Sequence, residues 1–388
     1  AQWLILWLDC DREGENIAFE VIQVCLAAKR TLVVKRAQFS ALSHNDVTRA
    51  LRTLRPPNKH EADAVDMRQE LDLRLGASFT RFNTMLLQNN VRLPGADEDG
   101  KGAIVSYGPC QFPTLGFIVQ RKWDIDAHVP ERFWKIALSH APGQAPGARG
   151  GANPSGRDDA AAVSSGSEFA KFEWARDRVF DEAFATTLFE SVRSAETARV
   201  VREGGEPHRK WPPHPLNTLE MQKRLNRAIR ISPDNIMKLA EELYQAGFIS
   251  YPRTETDAFP QDFDYQTTIS DLHNHPTFGF HARALSSGRF SMPRPGRNND
   301  NAHPPIYPTK LASDADCQSW RGRNPNLVKV YEFVCRHFLA CCSLPAVAHK
   351  TTVEIEMGGE TFRATGIMIK ELNYLDVYGR GSWADCFL

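Results

Sequence analysis

Leu4-Ile5-Leu6-Trp7-Leu8 is an unbroken apolar run that ends in Asp9-Cys10-Asp11-Arg12-Glu13-Gly14-Glu15. A strand buried on both faces of a parallel sheet has this character. Ile17, Ala18, Val21, Ile22, Cys25 and Ala28 then recur at helical spacing. Strand, acidic turn and helix make an α/β crossover, which commits the chain to a sheet with helices packed on it. Ligands of such sheets sit outside the carboxyl ends of the strands. Asp9, Asp11 and Glu13 alternate at that end and could converge there. Crowded carboxylates repel one another and repel phosphate, and Mg²⁺, a hard divalent cation, relieves both problems. The competing reading is a solvated helix start whose acids merely suit the helix dipole.

Ile249-Ser250-Tyr251-Pro252-Arg253-Thr254-Glu255-Thr256 presents a tyrosine as a covalent nucleophile. Proline pushes the residue before it out of the helical region, so Tyr251 is expected in extended backbone. Side chains two apart on an extended chain share a face, which would aim Arg253 the same way. A phenol beside a guanidinium suits attack on a phosphodiester, the cation holding the developing negative charge. A strand-edge tyrosine with a solvated arginine is the plainer alternative. Upstream, Ser232-Pro233-Asp234 has the form of a helix start. Ile236, Leu239, Ala240 and Leu243 follow at helical spacing, and Gly247 is a stop. That helix would deliver Phe248–Tyr251 from a rigid base, as a nucleophile requires. His303 lies in loop chemistry, Arg294 to Ala302, where a histidine is usually solvated. Pro304-Pro305 stiffens the backbone after it, and an imidazole could relay protons near a phosphate.

Global charge is silent about nucleic acid, because Lys+Arg and Asp+Glu both number 47. No apolar run reaches membrane-spanning length and no signal peptide is visible. The 8 cysteines show no CxxC pairing and read as reduced thiols of a cytosolic or nuclear protein.

Punctuation sets the coarse layout. Thr31–Phe39 reads as a second strand. Helical pattern runs from Ser43 to about Asn90, with one apolar stripe at Val47, Ala50, Leu51 and Leu54. A second stripe at Leu71, Leu75, Phe79 and Phe82 is interleaved with Arg68, Arg74 and Arg81. Those arginines are either a solvated face or a phosphate-tracking groove. Leu93–Gly102 reads as a polar loop and Gln111–Trp123 as a helix. Strands are expected at Glu131–Ser139, Lys171–Trp174 and Thr197–Glu203. Ala141–Ser167, dense in Gly, Pro, Ala and Ser, is expected to be disordered. Trp211-Pro212-Pro213-His214-Pro215 makes a stiff boundary before a mainly helical stretch reaching about Leu344. Thr351–Met357 and Thr361–Ile369 around Gly358-Gly359 spell a hairpin that rejoins the earlier strands.

Together these segments resemble the type IA DNA topoisomerases, in their eukaryotic topoisomerase III branch. Asp9–Ile17 looks like the DxDxE segment of that family's Toprim domain. Ser106-Tyr107-Gly108-Pro109-Cys110-Gln111-Phe112-Pro113-Thr114-Leu115-Gly116 is similar to a further characteristic block. Ile249–Thr256 is similar to the active-site tyrosine block, and His303-Pro304-Pro305-Ile306-Tyr307-Pro308-Thr309-Lys310 to the block carrying an active-site histidine. The four occur in family order. Phe112-Pro113 and Arg12 lean toward an alpha-like form.

The resemblance implies a multidomain α/β plus α+β fold: a partial Toprim (Rossmann-like) domain, helical DNA-binding domains and a β-rich arch in a toroidal core. On that reading the domains are 1–40 (Toprim), 41–128 (helical, DNA-binding) and 129–215 (first half of the arch, with the 141–167 insertion). Then come 216–345 (helical, with the tyrosine) and 346–388 (second half of the arch). Tyr374–Tyr378 resembles an arch strand. The family's Toprim domain begins with an earlier strand bearing a glutamate and a nearby lysine, which this chain lacks, so an internal fragment is expected.

The resemblance further implies ATP-independent cleavage of one DNA strand through a 5′-phosphotyrosine on Tyr251, strand passage and religation, relaxing negative supercoils and decatenating DNA. The absence of a GxxxxGK[ST] loop agrees. Arg253 would stabilise the phosphate, His303 assist, and Mg²⁺ sit on Asp9, Asp11 and Glu13. Arg12, Arg74, Arg81, Gln111, Thr254, Glu255 and Lys310 would contact DNA. Implied partners are single-stranded DNA, with RNA left open, a RecQ-type helicase and an OB-fold accessory protein. No membrane is implied; the location would be nuclear, a mitochondrial form staying open. Two alternatives stand: a catalytically inactive single-strand-binding fragment, and another Toprim enzyme such as a primase or nuclease. The second has no use for the tyrosine block.

Overall fold

The computed structural model of the chain describes residues 1–88, 104–140, 170–300 and 302–378. The expected loop at Leu93–Gly102 and the expected insertion at Ala141–Ser167 lie outside the described residues. The chain divides into two compact units, Ala1–Pro130 and Glu131–Leu388.

In the first unit, β1 (Trp3–Leu6) leads into α1 (Arg12–Ala28) and returns to β2 (Val33–Arg36) in parallel register, Trp3 against Val33 and Leu6 against Arg36. This is the expected crossover, but its burial is not. Leu6, Ala18 and Ile22 form the small core, while Trp3 is 53% and Trp7 39% exposed. Two strands and one helix cannot cover both faces of β1, so the apolar run is only half used. Continuing the chain are α2 (His44–Arg52), the long α3 (Lys59–Leu87) and α4 (Gln111–Asp126). α3 buries Ala62 and Val65 against α1, whereas Leu71, Leu75, Phe79 and Phe82 are all exposed. Among the described residues the second apolar stripe is therefore largely exposed. The Ser106–Gly116 block does fold onto α3: Tyr107 N donates to Thr80 Oγ1 (2.9 Å), and Tyr107 lies between the rings of Phe79 and Phe112.

The second unit combines a sheet with a helical core. Its sheet is built from β3 (Leu138–His140) and β4 (Ala170–Trp174), then, after α5 (Glu182–Ser194), β5 (Arg199–Lys210). The helices α6 (Thr218–Ile229), α7 (Pro233–Gln245), α8 (Tyr265–Asp271), α9 (Gly279–Ala284), α10 (Asp314–Arg323) and α11 (Pro325–Cys341) follow. The chain then re-enters the sheet as β6 (Ala346–Met357) and β7 (Glu360–Glu371) and ends its described part in α12 (Tyr374–Tyr378). The strand order is β3-β4-β7-β6-β5, every neighbour antiparallel. The hairpin β6–β7 turns at Gly358 and Gly359, whose φ values of 58° and 81° favour glycine.

Two expectations fail here. Glu131–Ser139 contributes only a bridge at Trp134 and the short β3. Tyr374–Tyr378 is a helix, not a strand. Asn373 at φ 46° ends β7, and Tyr374, Leu375 and Val377 turn into the helical core instead of continuing along the sheet. That core centres on α11, where Leu327, Val330, Tyr331, Val334, Cys335, Phe338 and Leu339 are all buried. A helix apolar around much of its circumference belongs at the centre of a bundle. Cys317, Cys335, Cys341 and Cys342 are buried there as free thiols, and burial pushes each of them up from the usual thiol range. Buried in this way they pack as small apolar side chains, Cys341 also donating its thiol to the His214 carbonyl. Among the described residues no helix is long and apolar enough to cross a membrane.

Candidate active site around Tyr251

The local sequence explains how Tyr251 is held. Ser232 caps α7 by accepting from Asn235 N, with Pro233 in the first turn. At the other end Gly247 takes φ 77°, Gly247 N donates to Tyr244 O (2.8 Å) and Phe248 N to Leu243 O (2.9 Å). That pair of bonds is a Schellman cap, which fixes the exit direction of the chain. The exiting segment is zipped to the histidine block. Thr309 N donates to Phe248 O (3.0 Å), Ser250 N to Tyr307 O (2.9 Å), and Tyr307 N to Ser250 Oγ (3.0 Å). Ile249 and Ser250 are fully buried, and Tyr251 is 4% exposed.

The tyrosine ring sits between two partners. Tyr244 of α7 meets it edge-on at 5.2 Å between centroids, and His303 packs against it at 4.4 Å, tilted by 38°. The pairing of Tyr251 and His303, 52 positions apart, is the site's central fact. His303 is buried (6% exposed), and so is not the solvated loop histidine of the plainer reading.

Arg253 departs from expectation. Its side chain is 60% exposed and reaches back to α7, where Nε donates to Glu241 Oε1 at 2.8 Å. After Tyr251 the buried positions are Pro252, Thr254 and Thr256, with Arg253 and Glu255 outward. The proline breaks the two-residue alternation, so Tyr251 and Arg253 do not share a face. Thr254 is buried. Its hydroxyl donates to Asp300 Oδ2 (2.8 Å), its N–H to Thr218 Oγ1 (2.9 Å), and Glu255 N also donates to Asp300 Oδ2 (3.1 Å). Lys310 is exposed and rests its ammonium 4.9 Å from the Phe248 ring centroid.

Sequence reasoning passes over Asp300. Burial alone would raise its pKa, but hydrogen bonds from His303 N, Ala302 N and the hydroxyls of Thr254 and Thr256 outweigh burial and hold it at about 2. The available signal is its place in an Asn-Asn-Asp-Asn loop three residues before His303.

In the first unit, the acidic turn is pinned by a buried ion pair. Arg36 (2% exposed side chain) donates Nε to Glu15 Oε2 at 2.8 Å, and its other nitrogens donate to the carbonyls of Leu8 (2.7 Å) and Asp9 (2.5 Å). A Cβ at Gly14 would stand 2.0 Å from Asp9 O, so only glycine lets α1 start so close to the strand end. Asp11 is the cap of α1, its Oδ1 accepting from Gly14 N (2.7 Å). Glu13 pairs with Arg68 of α3 (2.9 Å). Among the described residues no group of three His, Cys, Asp or Glu is placed to hold a metal ion. The convergence of Asp9, Asp11 and Glu13 is thus not met: one carboxylate serves the helix cap and another an ion pair. Arg12 is exposed at the start of α1; Arg74 pairs with Glu70 one turn away (2.6 Å). Arg81 lines an open, mainly apolar cleft of about 510 Å³ with Leu73, Gly76, Met85 and Ile104. Gln111 is the first, exposed residue of α4.

Comparison with known proteins agrees with this architecture. The family model described as DNA topoisomerase matches residues 56–386. The DNA topoisomerase 3-alpha of Arabidopsis thaliana is 48% identical over 99% of this chain, and that of Homo sapiens 40% identical over 100%. The chain spans 39% and 35% of the lengths of those relatives. A solved structure of full-length topoisomerase I from Thermotoga maritima superposes with a TM-score of 0.67 over 96% of this chain and 54% of its own, at 19% identity, a likeness of fold. A family model covering most of the chain, with near-complete alignment to topoisomerase 3 relatives, establishes that the chain belongs to the DNA topoisomerase family, in its topoisomerase 3 branch.

Proposed function

We propose that this chain carries the tyrosine centre of an ATP-independent type IA enzyme that cuts and rejoins one DNA strand. The observation that carries the reading is the buried pairing of Tyr251 with His303 on a backbone fixed by the Schellman cap and the zipped strands. In the cutting step the Tyr251 oxygen bonds to phosphorus as the bond from phosphorus to the 3′ oxygen breaks. The phenolic proton leaves the nucleophile and a proton reaches the departing 3′ oxygen. The products are a 5′-phosphotyrosine and a 3′-hydroxyl, and religation runs the exchange backwards without an outside energy source. His303, in ring contact with the phenol, is a group at hand for holding a proton. Arg253 would reach a phosphate only by leaving Glu241, which an incoming anion can compete for. Because Tyr251 is 4% exposed, substrate must open its surroundings before attack.

Mg²⁺ belongs to this reading as a site assembled with substrate. Mg²⁺ is commonly held by one or two carboxylates plus phosphate oxygens, and it stabilises charge on them. Asp9, Asp11 and Glu13 supply the carboxylates, but as placed here they do not form a ready cage, so no step is routed through the ion. Relaxation and decatenation through a toroidal gate, a nuclear setting in recombination and repair, and helicase and OB-fold partners belong to the same proposal. The second reading, a single-strand-binding fragment without turnover, rests on the exposed Arg12, Arg74 and Arg81 of the first unit. Incubating the chain with a radiolabelled single-stranded oligonucleotide and looking for a denaturation-resistant adduct decides between them: an adduct in wild type that is absent in Tyr251→Phe supports the enzyme, and no adduct supports the binder.

A further inference from the structure

We propose that Asp300 is a positioning residue that sets the relation between Tyr251 and His303. This rests on Tyr251 being the nucleophile and adds a group that the motif blocks do not contain. Its carboxylate faces two segments at once. Oδ1 accepts from Ala302 N and His303 N, each at 2.9 Å. Oδ2 accepts from Thr254 Oγ1 at 2.8 Å and Glu255 N at 3.1 Å, and Asp300 N donates to Thr256 Oγ1 at 3.0 Å. One carboxylate therefore ties the backbone of the histidine to the Thr254 hydroxyl and the Glu255 N–H, three and four residues beyond the tyrosine.

A parallel tie stands next to it. Asp257 accepts from Asn298 N and Nδ2, both at 2.8 Å, and its own N–H donates to Asn298 O at 3.1 Å. A Cβ at Gly296 would fall 2.1 Å from Asp257 Cγ, so the loop is pressed against the tyrosine segment there. The two ties differ in what they reach. Asp257 seats the loop, whereas Asp300 bonds the histidine itself. Four charge-assisted hydrogen bonds on one half-buried carboxylate make a stiff joint. Stiffness counts here because a misplacement of about 1 Å at a reacting group costs on the order of 10² in rate.

The substitutions split the joint. Asp300→Asn can keep accepting from Ala302 and His303 through its amide oxygen but cannot accept from Thr254 and Glu255 through its NH₂. Asp300→Ala removes both halves. In the 388-residue chain with histidine ring carbons labelled, the His303 signal, assigned with His303→Gln, should shift and broaden in Asp300→Ala and shift less in Asp300→Asn. Adduct formation under single-turnover conditions should fall about 10- to 100-fold in Asp300→Ala, with oligonucleotide affinity within about twofold. In a His303→Ala background the same substitution should cost less than about threefold, since a residue acting through the histidine is non-additive with it. A His303 signal indifferent to both Asp300 variants overturns the proposal whatever Tyr251→Phe does, and so does full additivity with His303→Ala. An adduct surviving Tyr251→Phe instead sinks the parent reading while the histidine signals still report on Asp300. Should Asp300→Ala not fold, Asp300→Asn carries both measurements.

Discussion

The two regions proposed to carry chemistry in this chain are secured by opposite physics. Tyr251 stands on an apolar core in which the chain is capped, zipped and buried on every side. The acidic turn stands on a three-residue apolar core and one buried ion pair, with its carboxylates facing outward or serving local structure. On the proposed reading, the tyrosine site is preorganised and would open to admit substrate, whereas the acidic turn is largely exposed and would be organised with it. Burial favours a nucleophile because its aim is fixed before substrate arrives. Carboxylates near the surface take up whatever donors the local fold offers. Here those donors are Gly14 N and Arg68.

The largest effect that would break this contrast is at Tyr251 itself. Tyr251→Phe should take adduct formation to background while single-strand affinity stays within about twofold, since only the phenolic oxygen is lost and the ring still packs. A persistent adduct would show that the preorganised region is not where bond exchange occurs.

Next come the two anchors. Phe338→Ala should destabilise the second unit by about 3–5 kcal/mol through cavity formation. Arg36→Ala should destabilise the first by a similar roughly 3–5 kcal/mol, because it strands the buried Glu15 carboxylate. Denaturant titration followed by region-specific hydrogen exchange separates the two. If Arg36→Ala costs under about 1 kcal/mol, typical of exposed pairs, the ionic account of the first unit fails.

Acid should act on the second unit. Burial, with Arg224 nearby, holds His337 at about 3, well below its usual 6.5, against a raising hydrogen bond to the His214 carbonyl. Burial and Arg336 hold His275 at about 4. Both rings are neutral in the fold and gain protons on unfolding, so the unfolded state binds more protons from about pH 6.5 downward. Stability present above that pH should be lost progressively as pH falls toward 4. A melting temperature for this unit that stays level across that window would contradict the assignment.

The smallest effects belong to the exposed surfaces of the first unit. Asp11→Ala should cost about 1 kcal/mol as a lost helix cap. Leu71→Ala, at a position 50% exposed, should change stability by less than about 0.5 kcal/mol. Combined Asp11→Ala and Glu13→Ala should impair religation more than cleavage and weaken Mg²⁺ binding by calorimetry. Religation with an unchanged Mg²⁺ dependence would remove both carboxylates from the metal reading.

What is legible in the sequence is short-range. Ser232-Pro233 and Gly247 bracket α7 within a residue, because capping is chemistry between neighbours. Gly358-Gly359 marks its hairpin for the same reason, and the tyrosine and histidine blocks are visible as motifs. Tyr374–Tyr378 misleads because a short apolar run suits a strand or a buried helix equally, and the choice lies with the helical core it can reach. The stripe on α3 has the right period, yet no spacing rule states whether a face will find a partner. Proline after Tyr251 signals extended backbone, but it gives no sign that it uncouples Arg253 from the tyrosine.

By itself, then, the sequence determined the family, the candidate nucleophile and the local geometry of the helix that presents it, since each depends on residues a few positions apart. Tertiary structure alone decided that His303 lies against Tyr251, that Asp300 binds both segments across 46 positions, and that Arg253 turns to Glu241. Those pairings depend on where the chain returns in space. The core sets that return by burying α11 and the segments packed around it, and no local propensity encodes it.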